Sequence, residues 1–281
     1  MSNYLENKNG YTHDNAHTGR GVVAAAAGGA AAVRAGGYTS AFESAPTIIQ
    51  RAAFNGLLTN KLLTTLPGED FARLLPHLEP VSLASVDTVY DLEDDAQFAY
   101  FPEGALISQL HVLSDGSTIE AAMTGKDGMV GLAAVFGVPA PSCWTRVAIG
   151  GSALRIRTET LREEFARGGA LQRLLLGYAS ALMAQLAQRA VCNGRHSMMR
   201  RTSCWLLMAH DRTGEASLAL THEQIAHHLG TRRAGITVIA NDLRDRGCIS
   251  YSRGMITVID RRGLEAAACE CYGELIAPVR P

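Results

Sequence analysis

The sequence predicts an α+β protein: a β-roll, then one long helix, then a winged helix-turn-helix. Three observations predict it. Between Val81 and Ile156 the chain breaks into short β-like runs separated by turn residues. From Leu171 onward large apolar residues recur at helical spacing over a span longer than a small core needs. After Thr221 two short helical units flank a glycine, and two strand-like runs joined by Ser-Arg-Gly follow. At 281 residues the chain is long enough to bury more than one core.

Residues 1–46 are polar and then rich in Ala and Gly, so they offer little to bury and are expected to form a disordered tail. The segment 47–160 is expected to hold the β-roll. It opens with two short helices in NKLLTTLPGEDFARLL, the second after Pro67 with Glu69 and Asp70 in its first turn, where acids favour the helix dipole. The runs VSLASVDTVY, QFAYFP, GALISQLHVL, STIEAAMT and TRVAIGGSALRI read as strands, and SDGS at 114–117 as a hairpin turn. GKDGMVGLAAVFGVPAPSCW, rich in Gly and Pro, reads as a loop with a short helix. In 161–197, Leu171, Leu174, Leu175, Tyr178, Leu182 and Leu186 share one stripe; the sequence leaves open whether it covers the roll or forms a dimer seam, with a seam favoured, and CNGRH is expected to break the helix.

The remainder, 198–281, is the basic part. From Arg200 to Arg262 there are ten arginines against six acids, a local charge of +4 that leaves −5 for the rest of a chain whose net charge is −1. Thr221 can cap a helix with Ile225, Ala226 and Leu229 inward; Gly230 turns the chain, and a second helix buries Ile236, Ile239, Ala240 and Leu243. The stretch GTRRAG could be mistaken for a phosphate loop, but Ile236 stands where that loop needs lysine and a helix precedes Gly230. A DNA-reading helix fits better, with Arg232 and Arg233 at the end that meets base edges.

The six cysteines are scattered, with no C-x-x-C pair, which suits a reducing compartment and gives no zinc signature. The apolar run at 22–33 is too short to span a bilayer and follows twenty polar residues rather than a short basic start. The expectation is a cytoplasmic protein with no membrane partner, no metal and no cofactor.

LTHEQIAHHLGTRRAGITVIANDLRDRGCISYSRGMITVID and the GMVGL turn resemble the Crp/Fnr family over about residues 50–265. The resemblance implies a cyclic-nucleotide-binding-like β-roll, a dimerisation helix carrying Leu171, Leu175, Tyr178, Leu182 and Leu186, and a homodimeric regulator on two-fold related double-stranded DNA, with RNA polymerase as a further partner. It places Thr221 at a phosphate and Arg233 at guanine; His222, Arg232, Thr237, Asn241 and, in the Ser-Arg-Gly loop, Arg253 complete the DNA-facing set. The family's next reading positions fall on Ala234 and Val238, so the DNA sequence preferred should differ. The family's ribose-binding turn falls on Gly131 and Leu132, and its phosphate-binding Arg-Ser pair on Pro141 and Ser142, beside Cys143. Leu132 lacks the carboxylate and Pro141 supplies neither charge nor N–H, so cyclic AMP is not the expected effector. The effector is unknown. Arg146 reads as a surface residue, His77 and His111 as surface or structural rather than haem ligands, and Cys143 or Cys192 as the places where a thiol switch could sit. No nucleophile and base pair suggests an enzyme. The competing reading is a ligand-binding or scaffolding protein whose winged helix binds protein.

Overall fold

The computed structural model describes residues 58–92, 95–138 and 143–276. The tail assigned to 1–46 lies outside them, as do Pro141 and Ser142. Asn60 caps the first helix, α1 (Lys61–Thr65), accepting from the amides of Leu62 and Leu63. Its side-chain amide also donates to the carbonyls of Pro102 and Gly128, both at 2.9 Å, which pins α1 to the roll. The second helix, α2 (Gly68–Leu74), follows Pro67 with Glu69 and Asp70 in its first turn.

Seven strands form the roll: β1 (Glu79–Leu83), β2 (Thr88–Tyr90), β3 (Phe98–Pro102), β4 (Leu106–Val112), β5 (Thr118–Thr124), β6 (Trp144–Ile149) and β7 (Gly151–Arg157). They make two antiparallel sheets, ordered β1-β7-β3 and β2-β6-β4-β5. The expected hairpin joins β4 to β5: the Leu113 amide donates to Ser117 O at 2.8 Å, and Asp115 accepts from the Ser117 amide at 2.9 Å. The runs VSLASVDTVY and TRVAIGGSALRI are each two strands rather than one, and in each the two strands belong to different sheets. The chain passes from the four-stranded sheet to the three-stranded one at Gly150, where no side chain obstructs the crossing. A four-residue helix, α3 (Leu132–Val135), lies in the Gly/Pro-rich loop.

After α4 (Thr158–Ala166) comes the long helix α5 (Gly169–Arg195), 27 residues. CNGRH does not break it where expected. Gly194 stays helical, and the chain turns extended at His196, whose ψ is 145°. The stripe of leucines also needs correction. Leu171, Leu174, Leu175 and Tyr178 are buried against the chain's own roll, and the Tyr178 hydroxyl donates to Met129 O at 2.9 Å. The apolar residues α5 leaves outside are Leu176, Met183, Leu186 and Val191. Periodicity alone could not separate the two faces, because both recur at helical spacing.

The C-terminal part runs α6 (Met198–Thr213), β8 (Ser217–Ala219), α7 (His222–Leu229), α8 (Arg233–Asp245), β9 (Ile249–Ser252), β10 (Met255–Val258), α9 (Arg261–Ala267) and α10 (Cys271–Leu275). The order β8-β10-β9 makes the wing sheet. Arg261 ties the last two helices to α6, donating to Asp211 at 2.6 Å and to the Tyr272 hydroxyl at 2.6 Å. The core of this part does not end at its own border. Trp205, Leu207 and Ile225 share one apolar cluster with Leu106, Met123 and Ile149 of the roll.

Candidate nucleic-acid interface

The reading unit is built on two local devices. Thr221 and Gln224 form a reciprocal capping box: the Gln224 amide donates to Thr221 Oγ1 at 3.2 Å and the Thr221 amide to Gln224 Oε1 at 2.8 Å. Gly230 then turns the chain in the left-handed region at φ 62°, and its face lies so close to β5 that an added Cβ would sit 3.2 Å from Ile119. Helix α8 starts at Arg233 and buries Ile236, Ile239, Ala240 and Leu243, as expected.

That packing turns the opposite face of α8 outward. Arg232, Arg233, Ala234, Val238 and Asn241 are exposed and Thr237 is half-buried. The Arg233 side chain is 71% exposed, and its acidic neighbour Glu223 stands off at 4.0 Å, so the guanidinium is available to an incoming acceptor. Arg253 is exposed at the wing tip with φ 50°, ahead of Gly254 at φ 78°. Arg246 pairs with Asp242 at 2.8 Å and Arg244 with Asp245 at 2.9 Å, which dampens the basic character towards the end of α8.

His222 is not on this surface. It is buried, stacked on Tyr251 with ring centroids 4.1 Å apart, and its Nδ1 lies 3.1 Å from Thr237 Oγ1. Since the Thr237 hydroxyl donates to Arg233 O at 3.1 Å, the imidazole N–H is the donor in the other bond. His222 therefore positions the start of α8 and the wing rather than meeting a ligand. Burial, then the positive charge of Arg233, holds its pKa below the ordinary value. Its contribution to stability is therefore full above about pH 6.5 and is lost as pH falls through the lowered folded value. Amide exchange in α8 should speed up over that window in the wild-type chain and change less in His222→Gln; equal pH profiles for the two would refute the assignment.

The unit is anchored to the roll by a buried carboxylate. Glu120 of β5 is 1% exposed and meets Arg189 of α5 at 2.7 Å, Trp205 Nε1 of α6 at 3.0 Å, His228 Nδ1 of α7 at 3.1 Å and the Ser108 hydroxyl at 2.5 Å. Burial by itself would raise its pKa; Arg189, His228 and Ser108 outweigh that and hold it below the usual carboxylate range. Nearby, buried Arg212 of α6 donates to Asp127 at 2.7 Å and to Gln185 of α5 at 3.1 Å, while the Lys126 amide donates to Arg212 O at 3.2 Å. The GKDG stretch, expected only as a loop, thus joins roll, long helix and reading unit. Sequence patterning gave no sign of Glu120, an acid in a strand that looks half-exposed.

Of the expected effector site, Gly131, Leu132 and Cys143 fall among the described residues. Gly131 has φ 94°, and an added Cβ would meet Tyr90 Oη at 2.7 Å. Leu132 is buried with Phe101, Met129 and Val135, and Tyr90, Ile107 and Val130 belong to a second buried cluster. The cavity between α5 and β5, bordered by Leu182 and Leu186, measures about 10 Å³, room for one water. Cys143 is buried, and burial pushes its thiol pKa up, which opposes a reactive thiolate there; the Cys192 thiol is pushed up as well. Arg146 is half-buried, with its guanidinium 4.3 Å above the Trp144 ring, rather than free on the surface. No helix among the described residues is long and apolar enough to cross a membrane.

Residues 200–267 match the Crp-like helix-turn-helix domain. No curated protein matches the chain. Among solved structures, FixK2 from Bradyrhizobium japonicum is similar in fold at 17% identity and TM-score 0.59, over 68% of this chain and 98% of that one. TTHA1359, a Crp/Fnr-family transcriptional regulator from Thermus thermophilus, is 20% identical with TM-score 0.53, over 68% and 98% of the two chains. The c-di-GMP-responsive global regulator CLP of Xanthomonas campestris is 14% identical with TM-score 0.54, over 68% and 99%.

Proposed function

We propose that this chain, which has the Crp/Fnr fold and a Crp-like helix-turn-helix domain, is a homodimeric, sequence-specific DNA-binding transcription regulator that does not respond to cyclic AMP. The observation that carries the reading is the outward face of α8, with Arg233 exposed at its N-terminal end and its buried face held in the domain core. Arg233 reads guanine; Arg232 and Arg253 contact phosphates; Thr237 and Asn241 lie within reach of the groove; Thr221 brings the α7 N-terminus to the backbone. Val238, 69% exposed in the middle of that face, suits the methyl group of a thymine. Replacing the contacted thymine by uracil should weaken wild-type binding by about 0.8 kcal/mol, close to one methylene. The same replacement should leave Val238→Ala unaffected, and equal losses in both proteins would remove the assignment.

The exposed apolar face of α5 supports a dimer. Leu176 and Met183 are 50% and 65% exposed and seven residues apart, and Val191 extends the row at 52%. A second copy of α5 would cover this seam and leave Leu171, Leu175 and Tyr178 on their own roll. Met183→Glu should convert dimer to monomer in sedimentation and abolish binding to a two-fold site while a half-site is still bound weakly; an unchanged dimer sinks this seam. Buried Leu132, which offers no carboxylate to a ribose, supports the lack of a cyclic AMP response. The direct test of the whole reading is a mobility shift on a palindromic site, steeply weakened by salt and indifferent to added cyclic AMP. Absence of a shift on every genomic fragment refutes DNA binding, and a shift that needs cyclic AMP refutes the effector reading. RNA polymerase would be the next partner at a bound promoter.

A further inference from the structure

The end of α5 and the segment after the wing meet in a cluster that the reading unit does not use. Cys192 and His196 lie four residues apart at the end of α5, which puts them on one face. Cys269 and Cys271 flank the turn between α9 and α10. The Sγ atoms of Cys192, Cys269 and Cys271 and a ring nitrogen of His196 all fall within 4.8 Å of one another. Cys192 Sγ is 3.5 Å from Cys269 Sγ, and Cys271 Sγ is 3.5 Å from His196 Nδ1. With bonds of about 2.3 Å to sulfur and 2.0 Å to nitrogen, the edges of a tetrahedral zinc site are roughly 3.5–3.8 Å. The two close pairs therefore have the length of opposite edges of such a tetrahedron.

The surroundings fit a metal site as well as the ligand atoms do. His196 Nε2 is 3.2 Å from Glu270 Oε1, so Nε2–H donates to the carboxylate and the Nδ1 lone pair is left facing the thiols. Gln188 Nε2 donates to Cys271 Sγ at 3.0 Å, a bond that stabilises a thiolate. Arg201, which is paired with no acid among the described residues, borders the same small cavity as Cys192 and offsets the negative charge of a tri-thiolate centre. All three cysteines are 5% exposed or less, and the His196 side chain 12%, so the centre has no face open to substrate.

We infer that Cys192, His196, Cys269 and Cys271 form a closed, structural zinc site that fastens the segment after the wing to the end of the long helix. Soft thiolates with one imidazole select zinc over magnesium or calcium, and four protein ligands leave no position for catalysis. Each thiol gives its proton to solvent as its bond to zinc forms, and no electrons move. The ligand pairs come from segments far apart in the chain, which is why a search for adjacent cysteine pairs finds nothing. The inference does not depend on what the helix-turn-helix binds.

The test is metal content of the full chain, purified without a metal-affinity tag under reductant and dialysed against a weak chelator. About one zinc per chain is expected, with cobalt(II) exchange giving the thiolate charge-transfer and tetrahedral ligand-field bands. Cys269→Ser/Cys271→Ser should hold less than about a tenth as much, whereas His196→Cys, which keeps four ligands, should stay loaded. Wild-type protein with free thiols and no bound zinc or cobalt overturns the site, as does full loading of the double serine variant. The cobalt spectrum is read on the wild-type chain, so a variant that fails to fold does not remove the test.

Discussion

Replacing Glu120 by glutamine is expected to destabilise the chain by about 3–5 kcal/mol, the usual cost of leaving one member of a buried ion pair alone. The mutation changes shape little. It leaves the Arg189 guanidinium, 12% exposed, facing a neutral amide where a carboxylate stood at 2.7 Å. It also presents an amide to Trp205 Nε1 and to Ser108, both of which now donate to Glu120. These partners belong to α5, α6 and β4, and His228 belongs to α7, so the loss falls on the junction between roll and reading unit. The denaturation midpoint should drop by roughly 1–3 M urea at a typical slope. A shift under about 0.5 kcal/mol, the scale of a surface pair, would mean that Glu120 does not anchor the junction. Glu120→Leu combined with Arg189→Met should recover much of the loss, because replacing both charges removes the desolvation cost together with the attraction. The pH dependence has a definite sign. With a folded pKa below the ordinary value, the stabilisation is complete above about pH 4.3 and is lost as pH falls through the folded value. Wild-type and Glu120→Gln should therefore converge in acid.

Arg233→Ala is expected to weaken specific DNA binding by about 1–3 kcal/mol, roughly 5- to 150-fold, and to relax the preference for guanine at one position of each half-site. The side chain stands clear of the protein, so stability should stay within about 0.5 kcal/mol of wild type. Arg232→Ala and Arg253→Ala should act differently, lowering affinity on all sequences and reducing the salt slope by about one each. If Arg233→Ala lowers binding uniformly with no change in base preference, it is a phosphate contact. If it changes nothing, the winged helix does not read DNA with this face, and the alternative of a protein-binding domain gains ground.

Much of the reading unit was legible because its information is local. The capping box of Thr221 and Gln224, the left-handed turn at Gly230 and the inward spacing of Ile236, Ile239 and Leu243 are each set within a few residues. The strands of the roll were legible too, apart from the crossing at Gly150 and the one inside VSLASVDTVY, where β1 and β2 belong to different sheets. Errors came where two parts of the chain had to be placed against each other. The long helix has apolar residues on two faces, and only the docked roll decides that Leu171, Leu175 and Tyr178 face inward while Leu176 and Met183 remain outside. His222 sits beside a true surface residue, yet Tyr251 and Thr237 close over it.

By itself, the sequence determined the order of elements and the helix-turn-helix, since these follow from residue type and short-range spacing. Only the tertiary structure decided which face of α5 is free, that Glu120 is a buried anchor, and that Cys192 and His196 come together with Cys269 and Cys271. The reason is physical. Burial and ligand geometry depend on which surfaces meet, and here the surfaces that meet belong to residues as much as 109 positions apart.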